Sequence, residues 1–361
     1  MKKFLCLLLA TLLCFSFAPM AKATTTTDSI EELAVLLIND ALRHPEEFGL
    51  PSLSGDTVYL CQPIHPYTIS EGELIQCNDI EYYLVKTEVD VFACITLCYE
   101  NGEVASISLN NTVAKIIREL CNINEEFQIV TENGVVYIKT LEGVLQGTTN
   151  AQITDTNTDC DDIIATISAA PGTMTKLMDR SELVGIVSSP AVARSSRILS
   201  VPYVSQEGLP ICWAAAAAAF GRYYTGDTYA RYSASELAAM IGVGNRGATI
   251  SEAQTILSSI FHIGTTYYLG RLSNSVMINL FQQGKPILAT FYGHYNDNPS
   301  QNEGHMVVLC GYNDNNTGVN TIIYIRDSNS QSLMSVISTS NTELKMEYYP
   351  GLTMYWVEGA Y

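Results

Sequence analysis

The strongest signal in this 361-residue chain lies in the segment Val201-Pro-Tyr-Val-Ser-Gln206-Glu-Gly-Leu-Pro-Ile-Cys212-Trp-Ala-Ala. Six consecutive alanines, residues 214–219, follow the Cys212-Trp pair and predict a helix with small side chains that packs close to its neighbours. Cys212 then lies in the first helical turn, where free N–H groups and the helix dipole favour a thiolate. The thiolate is the form of cysteine that attacks carbonyl carbons.

A nucleophilic thiolate needs a base, and the oxyanion that forms on the attacked carbonyl needs hydrogen-bond donors. Gln206 can supply a side-chain amide for that oxyanion, together with the backbone N–H of Cys212. His305 opens an apolar strand that fixes the direction of its imidazole, and Asp327 ends the next strand, where it can accept the other ring N–H. The predicted catalytic residues are therefore Cys212, His305, Asp327 and Gln206.

These residues and their contexts resemble the papain-like cysteine peptidases. The resemblance is carried by Gln-x5-Cys-Trp-Ala-Ala, by Gly-His-Met-Val-Val near a Gly-Tyr, and by a strand that ends in Asp. It is strongest toward the compact bacterial branches, the staphopain-like enzymes and the bacteriocin-leader-peptidase-like domains. It covers roughly residues 198–361 and implies a two-lobed α+β domain. It also implies Gln206 as oxyanion donor, Cys212 as nucleophile, His305 as general acid and base, and Asp327 as orienting residue, with no metal or organic cofactor.

Other residues remain alternatives for the same roles. His294 is the main rival base, whereas His262 is expected to pack at a helix end. Asn329 is an alternative to Asp327 as the orienting residue. Cys310 alternates into the core of the predicted His305 strand and is expected to be structural.

The first 23 residues predict a signal peptide. Lys2 and Lys3 precede the apolar run Phe4–Phe17, and Ala21-Lys22-Ala23 has the small-x-small pattern of a cleavage site. No later stretch approaches the roughly 20 apolar residues that a membrane helix needs. We therefore expect bacterial export and a secreted, extracellular protein that is not inserted in a membrane.

The sequence after the signal peptide predicts three regions. Residues 24–146 predict a small α+β domain, with antiparallel hairpins at the turn Glu100-Asn101-Gly102-Glu103 and around Asn133-Gly134. The apolar run Tyr82–Tyr99 is predicted to precede the first of these turns as a strand. Residues 147–197 predict a polar linker with an exposed processing segment. Residues 198–361, where helices precede strands, are the third region, which is the predicted papain-like peptidase domain.

Helices are predicted from Ser29 to about Arg43, over Thr112–Cys121 and Cys212–Tyr224, from capping boxes at Ser233 and Thr249, and over Asn274–Gln283. Strands are predicted over Pro286–Tyr292, Met306–Tyr312, Thr321–Arg326 and Leu352–Val357. The candidate processing points are Arg194 and Arg197. The sequence leaves the pairing of the cysteines open, but Cys94 and Cys98 lie on one face of a strand at roughly 13 Å and cannot bridge each other.

The net charge of −18 is unevenly distributed. Residues 24–193 hold 7 basic and 26 acidic side chains, whereas residues 194–361 hold 9 basic and 11 acidic ones. Phosphate binding needs clustered lysines and arginines, so the charge excludes a nucleic-acid binder. The acidity belongs to the region before the predicted peptidase domain and carries no information about its substrate.

Together these features predict a secreted cysteine endopeptidase made as a zymogen. Its partners would be a peptide or protein substrate and its own N-terminal domain, which is the candidate propeptide or inhibitor. Two alternatives from other classes remain open. One is a non-proteolytic amidase or transglutaminase that acts on cell-wall peptides. The other is a secreted binding or inhibitor module attached to a degenerate peptidase domain.

Overall fold

The computed structural model describes residues 30–51, 57–70, 73–87, 90–109, 111–120, 127–132, 135–140, 144–147, 174–179, 195–295, 298–314, 321–338, 340 and 343–361. The predicted signal peptide, most of the predicted linker, Ser29, Asn133-Gly134 and Arg194 lie outside these residues. Among the residues that are described, no helix is long and apolar enough to cross a membrane.

The described helices are α1 (Ile30–Ala41), α2 (Asn111–Leu120), α3 (Cys212–Thr225), α4 (Ala234–Met240), α5 (Ile250–Ser259) and α6 (Asn274–Gln282). Of the three predicted capping boxes, the one at Ser29 lies outside the described residues, and those at Ser233 and Thr249 are confirmed. The backbone N–H of Ser233 donates to Glu236 Oε2 at 2.7 Å, and that of Thr249 donates to Glu252 Oε2 at 2.6 Å. These bonds satisfy backbone donors that have no partner inside the helix and so fix where α4 and α5 begin.

The described strands are β1 (Thr57–Cys61), β2 (Tyr67–Ser70), β3 (Glu73–Gln76), β4 (Ile80–Lys86), β5 (Val91–Glu100), β6 (Glu103–Leu109), β7 (Phe127–Glu132), β8 (Val135–Thr140), β9 (Val144–Gly147), β10 (Met174–Asp179), β11 (Ser195–Ile198), β12 (Tyr267–Leu269), β13 (Ile287–Tyr295), β14 (Asn298–Asp314), β15 (Ile322–Arg326), β16 (Met334–Ser338), β17 (Lys345–Tyr349) and β18 (Leu352–Ala360). Within the described residues they form two sheets. The large antiparallel sheet has the order β10-β1-β4-β5-β6-β16-β15-β14-β13-β18-β12, with β11 on β14 and β17 on β18. The small sheet has the order β3-β2-β7-β8-β9. All described pairs are antiparallel except β2–β7, which is parallel, and the combination of helices with mainly antiparallel sheets confirms the α+β class.

The large sheet runs without interruption from the N-terminal region into residues 198–361. Its crossing point is the antiparallel pair β6–β16, whose register runs from Leu109 opposite Ser335 to Ser106 opposite Ser338. One hydrophobic cluster likewise includes Leu37 of α1 and Ile325 of β15. The sequence predicts an α+β domain before the peptidase region but not this continuation, because strand composition does not specify which strand pairs at an edge.

One predicted strand is wrong in extent. The apolar run Tyr82–Tyr99 is divided between β4 and β5, which pair with each other. The chain reverses where the backbone N–H of Thr87 donates to Asp90 O at 2.9 Å and the N–H of Asp90 donates to Thr87 Oγ1 at 3.2 Å. The following hairpin, β5–β6, is confirmed, with Asn101 at φ 53° and Gly102 at φ 78° in its turn.

Two strands lie inside the predicted linker. β10 pairs with β1, and β11 pairs with β14 from Ser195 opposite Asp314 to Ile198 opposite Gly311. The backbone approaches so closely there that a Cβ on Gly311 would lie 2.2 Å from Arg197 O. The Arg197 side chain is exposed as expected, but its backbone is paired in a strand and is not an open loop. Cleavage at Arg197 therefore requires β11 to leave the sheet.

The described cysteines outside the candidate site are all buried: Cys61, Cys77, Cys94, Cys98 and Cys310. Cys121 and Cys160 lie outside the described residues.

Candidate active site

Helix α3 places Cys212 at its first turn. The alanines of residues 214–219 are buried, and α3 packs against β14 and α5. Before the helix, Glu207 and Gly208 adopt left-handed conformations at φ 60° and 70°, which turn the chain so that Leu209 N–H donates to Gln206 O at 2.9 Å. Cys212 is partly exposed, whereas the alanines of the helix behind it are buried.

His305 lies in β14 opposite the start of α3. Its ring is hydrogen-bonded to the thiol of Cys212. Its Nε2 lies 2.9 Å from Oδ1 of Asp327, so the other ring nitrogen, Nδ1, faces the thiol. Only 7% of His305 is exposed, which holds the imidazole in one orientation. The residue before it is Gly304, where a Cβ would lie 2.8 Å from the ring of Tyr292.

Asp327 follows β15 and is buried. Its Oδ1 accepts the backbone N–H of Asn329 at 3.1 Å in addition to its contact with His305. Asn329, the alternative orienting residue, thus contacts Asp327 through its main chain. The structure therefore brings Cys212, His305 and Asp327 into one hydrogen-bonded series.

The charges in this series stabilise a thiolate–imidazolium pair. Burial opposes ionisation of Cys212, but the charge of His305, the hydrogen bond to it and the backbone N–H of Met306 together hold the pKa of the thiol below its ordinary value. Burial also opposes a charged His305, yet the negative charges of Cys212 and Asp327 and hydrogen bonds to both raise its pKa to about 10. Between these two pKa values both groups are charged.

Gln206 is held by the loop that follows Asp327. The hydroxyl of Ser328 donates to Gln206 Oε1 at 2.7 Å, and Gln206 Nε2 donates to Leu209 O at 3.0 Å. The hydroxyl of Tyr203 donates to Ser328 O at 3.2 Å and ties the same two segments together. These bonds leave one of the two Nε2 hydrogens of Gln206 for another acceptor. Ser328 was missed by the sequence reasoning, although its position directly after Asp327 is a usable signal.

Tyr348 in β17 is a second contact that the sequence does not reveal. Its hydroxyl lies 2.5 Å from His305 Nε2, and the two rings have centroids 4.3 Å apart. A tyrosine in an unpredicted strand gives no sequence signal of such a role. Since the imidazolium has a single Nε2 hydrogen, Asp327 and Tyr348 share it as acceptors.

The rival residues lie in other environments. His294 in β13 contacts the carbonyl oxygen of Tyr295 through Nδ1, at 3.2 Å. His262 is exposed after the end of α5, with φ at 58°. Cys310 is buried in β14, where burial raises the pKa of its thiol to about 12. His294, His262 and Cys310 therefore lie outside the hydrogen-bonded series around Cys212.

A polar cavity of about 760 Å³ lies beside the site on the Nε2 side of His305. Asp327 and Tyr348 line it, together with Asn111 and Lys115 of α2 and the loop 329–333. The N-terminal region thus provides one wall of a cavity that reaches the residues bonded to the imidazole. Within the described part of the chain, no group of three His, Cys, Asp or Glu side chains is placed to hold a metal ion.

Residues 198–353 match the family model described as the Peptidase_C39 like family. This match supports a papain-like cysteine peptidase-type domain over these residues. A comparison with curated proteins found no match to the chain. The matched residues contain the series of Cys212, His305 and Asp327, so the candidate site lies wholly inside the peptidase domain.

The thiolate–imidazolium pair predicts unusual alkylation behaviour. Iodoacetamide should modify Cys212 at pH 6, where an ordinary thiol is protonated and unreactive. His305→Ala removes the positive charge, so the pKa of Cys212 rises and the rate at pH 6 falls by about tenfold for each unit of that rise. The measurement is peptide mass spectrometry of alkylation rate against pH, with buried Cys310 as the internal unreactive control. An unchanged pH midpoint in His305→Ala would contradict the pair.

The Tyr348 contact predicts a positioning role. Tyr348→Phe removes one acceptor from the imidazolium, so we expect kcat to fall by about three- to tenfold, with KM unchanged. The alkaline limb of the pH–rate profile should also move to lower pH, because the charged ring loses a hydrogen bond. Tyr355→Phe in β18 is the matched control. A merely structural tyrosine would leave the pH profile of the folded variant unmoved.

Proposed function

We propose that this chain is an exported cysteine endopeptidase that hydrolyses peptide bonds in peptides or proteins. One observation carries the proposal: the thiol at the N-terminus of α3 is hydrogen-bonded to His305, whose Nε2 lies 2.9 Å from Asp327. This arrangement combines a nucleophile, an acid–base group and an orienting carboxylate. The family match over residues 198–353 supports the same reaction class.

In the acylation step, the Cys212 thiolate forms a bond from sulfur to the peptide carbonyl carbon. The carbonyl electron pair moves to oxygen, and a tetrahedral oxyanion results. When it collapses, the C–N bond breaks and His305 Nδ1–H gives its proton to the leaving amine. The products of this step are a free amine, a thioester on Cys212 and a neutral His305.

In the deacylation step, neutral His305 takes a proton from water while the water oxygen attacks the thioester carbon. Collapse of the second oxyanion breaks the C–S bond and releases a carboxylic acid. The thiolate and the imidazolium are then restored, so no external oxidant, reductant or cofactor enters the balance. Asp327 accepts the Nε2 hydrogen throughout and holds Nδ1 toward the sulfur.

Both oxyanions need donors that are already in place. We assign this role to the backbone N–H of Cys212 and the second Nε2 hydrogen of Gln206. The bond from Gln206 Nε2 to Leu209 O supports this assignment, because a carbonyl oxygen only accepts and so fixes which end of the amide carries the donors. A single preorganised donor of this kind contributes about 10²–10³ in kcat.

We propose that the protein is exported through residues 1–23 and made as a zymogen. Residues 24–146 are the candidate propeptide, and processing falls within residues 147–197. Arg194 is the better processing point, because Arg197 lies in the paired strand β11.

The peptidase proposal predicts that Cys212→Ala abolishes cleavage of casein, with a loss of about 10⁴-fold or more, because no other group forms the thioester. Cys310→Ala is the matched control: its buried thiol is not activated, so activity and iodoacetamide sensitivity should persist. Product analysis on casein and on muropeptides separates hydrolysis from acyl transfer. Cleavage by Cys212→Ala, or amide exchange without hydrolysis, would overturn the proposal.

A further inference from the structure

The contacts between the N-terminal region and the peptidase domain have the character of a protein interior. Strands β6 and β16 share backbone hydrogen bonds inside one sheet. The ring of Phe48 meets that of Tyr324 edge to face, with centroids 6.1 Å apart, and both rings are buried. A propeptide that leaves would break a sheet and open a hydrophobic core.

A buried carboxylate links α1 to the peptidase strands. Asp40 accepts the hydroxyl of Tyr324 at 2.7 and 2.8 Å and the amide of Asn313 at 2.5 Å. Asp40 is only 3% exposed. Departure of α1 would leave Tyr324 and Asn313 in an apolar strand surface without this partner, which is costly for buried polar groups.

A ring of contacts closes the same boundary at its edge. The carboxylate of Glu47 forms an ion pair with Arg326 at 2.7 Å. The backbone carbonyl oxygen of Glu47 accepts the N–H of Leu333 at 2.6 Å. On β17, the ammonium of Lys345 donates to Tyr99 O at 2.8 Å. The boundary is therefore bonded at α1, at β16 and at β17.

Strand β17 connects this boundary to catalysis. Successive strand residues point to opposite faces. Tyr348 contacts His305, whereas its neighbour Glu347 accepts the hydroxyl of Tyr82 at 2.6 Å. The backbone N–H of Glu347 also donates to Cys98 Sγ at 3.1 Å. The strand that holds Tyr348 against the imidazole is thus anchored on its other face by the N-terminal region.

We infer that residues 30–147 stay bound to the peptidase domain after processing, so that the active enzyme is a two-chain molecule in which the N-terminal region holds β17 and Tyr348 in place. The polar cavity between α2 and the loop 329–333 is then part of the working enzyme. The inference deepens the proposed function and rests on it for the processing step alone; the association itself follows from the contacts.

The association can be tested without activity. Residues 184–193 of the full chain are replaced by the recognition sequence of a specific protease, in a Cys212→Ala background that prevents self-digestion. After complete cleavage, the two chains should co-elute in size-exclusion chromatography without denaturant. Separation of the chains under these conditions overturns the inference.

The functional part is tested on the same nicked protein with Cys212 intact. Co-elution and peptidase activity are measured at increasing urea concentrations, and both should be lost at the same midpoint. Activity that survives separation of the chains overturns the role assigned to the N-terminal region. Tyr82→Phe, which removes the hydroxyl bonded to Glu347, should lower the shared midpoint, whereas Tyr83→Phe, whose hydroxyl bonds Glu81 within β4, should not.

The two proposals fail differently. If the nicked chains co-elute and neither nicked nor intact protein hydrolyses casein, the peptidase proposal is wrong and the association stands. If the chains separate and one of them is active, the peptidase proposal stands and the inference of a two-chain enzyme is wrong.

Discussion

The close packing of α3 on β14 is the constraint on which the rest of the site depends. Alanine side chains let the helix axis approach the sheet, and the buried face of residues 214–219 fills the contact. The first turn of the helix then meets His305, which β14 carries at a fixed point. Larger side chains in that face would move the helix outward and separate the thiol from the imidazole. The alanine run is therefore a requirement of the chemistry as well as of helix formation.

The hydrogen-bonded series around Cys212 extends to residues outside the motifs that predicted it. Two residues contact Nε2 of His305: Asp327, which follows β15, and Tyr348 in β17. Asp327 is positioned by its own loop, through the N–H of Asn329. Tyr348 depends on a strand whose other face binds Tyr82. The imidazole of His305 is thus held by residues far apart in sequence, and the N-terminal region contacts the strand that carries one of them.

The sequence predicted the parts of the structure that depend on local chemistry. Capping boxes located α4 and α5, the Asn-Gly turn located the β5–β6 hairpin, and the context of Cys212 pointed to His305 and Asp327. It could not predict β6–β16 pairing, because an edge strand accepts any partner that matches in length and face. Tyr348 was missed for the same reason: its role comes from the position of β17, and only the tertiary fold sets that position. The sequence predicted an exposed loop at Arg197 because the strand that pairs with it, β14, lies more than a hundred residues later.

Two acidic side chains, Asp40 and Glu347, are buried at the boundary between the N-terminal region and the peptidase domain. Burial raises the pKa of Asp40 despite its bonds to Tyr324 and Asn313 and the nearby charges of His44 and Arg43.

Burial likewise raises the pKa of Glu347 to about 8, against the lowering effect of hydrogen bonds from Tyr82 and Gly351 and with a further rise from Asp79. For a carboxyl group whose pKa is raised by folding, the folded state holds its proton at a pH where the unfolded chain has lost it. The contribution of Glu347 to the free energy of unfolding is therefore largest below the ordinary carboxyl pKa and falls as the pH rises toward 8. Burial of Glu347 is thus least costly in acid and becomes more costly as the pH rises toward 8, where the thiolate–imidazolium pair is still charged.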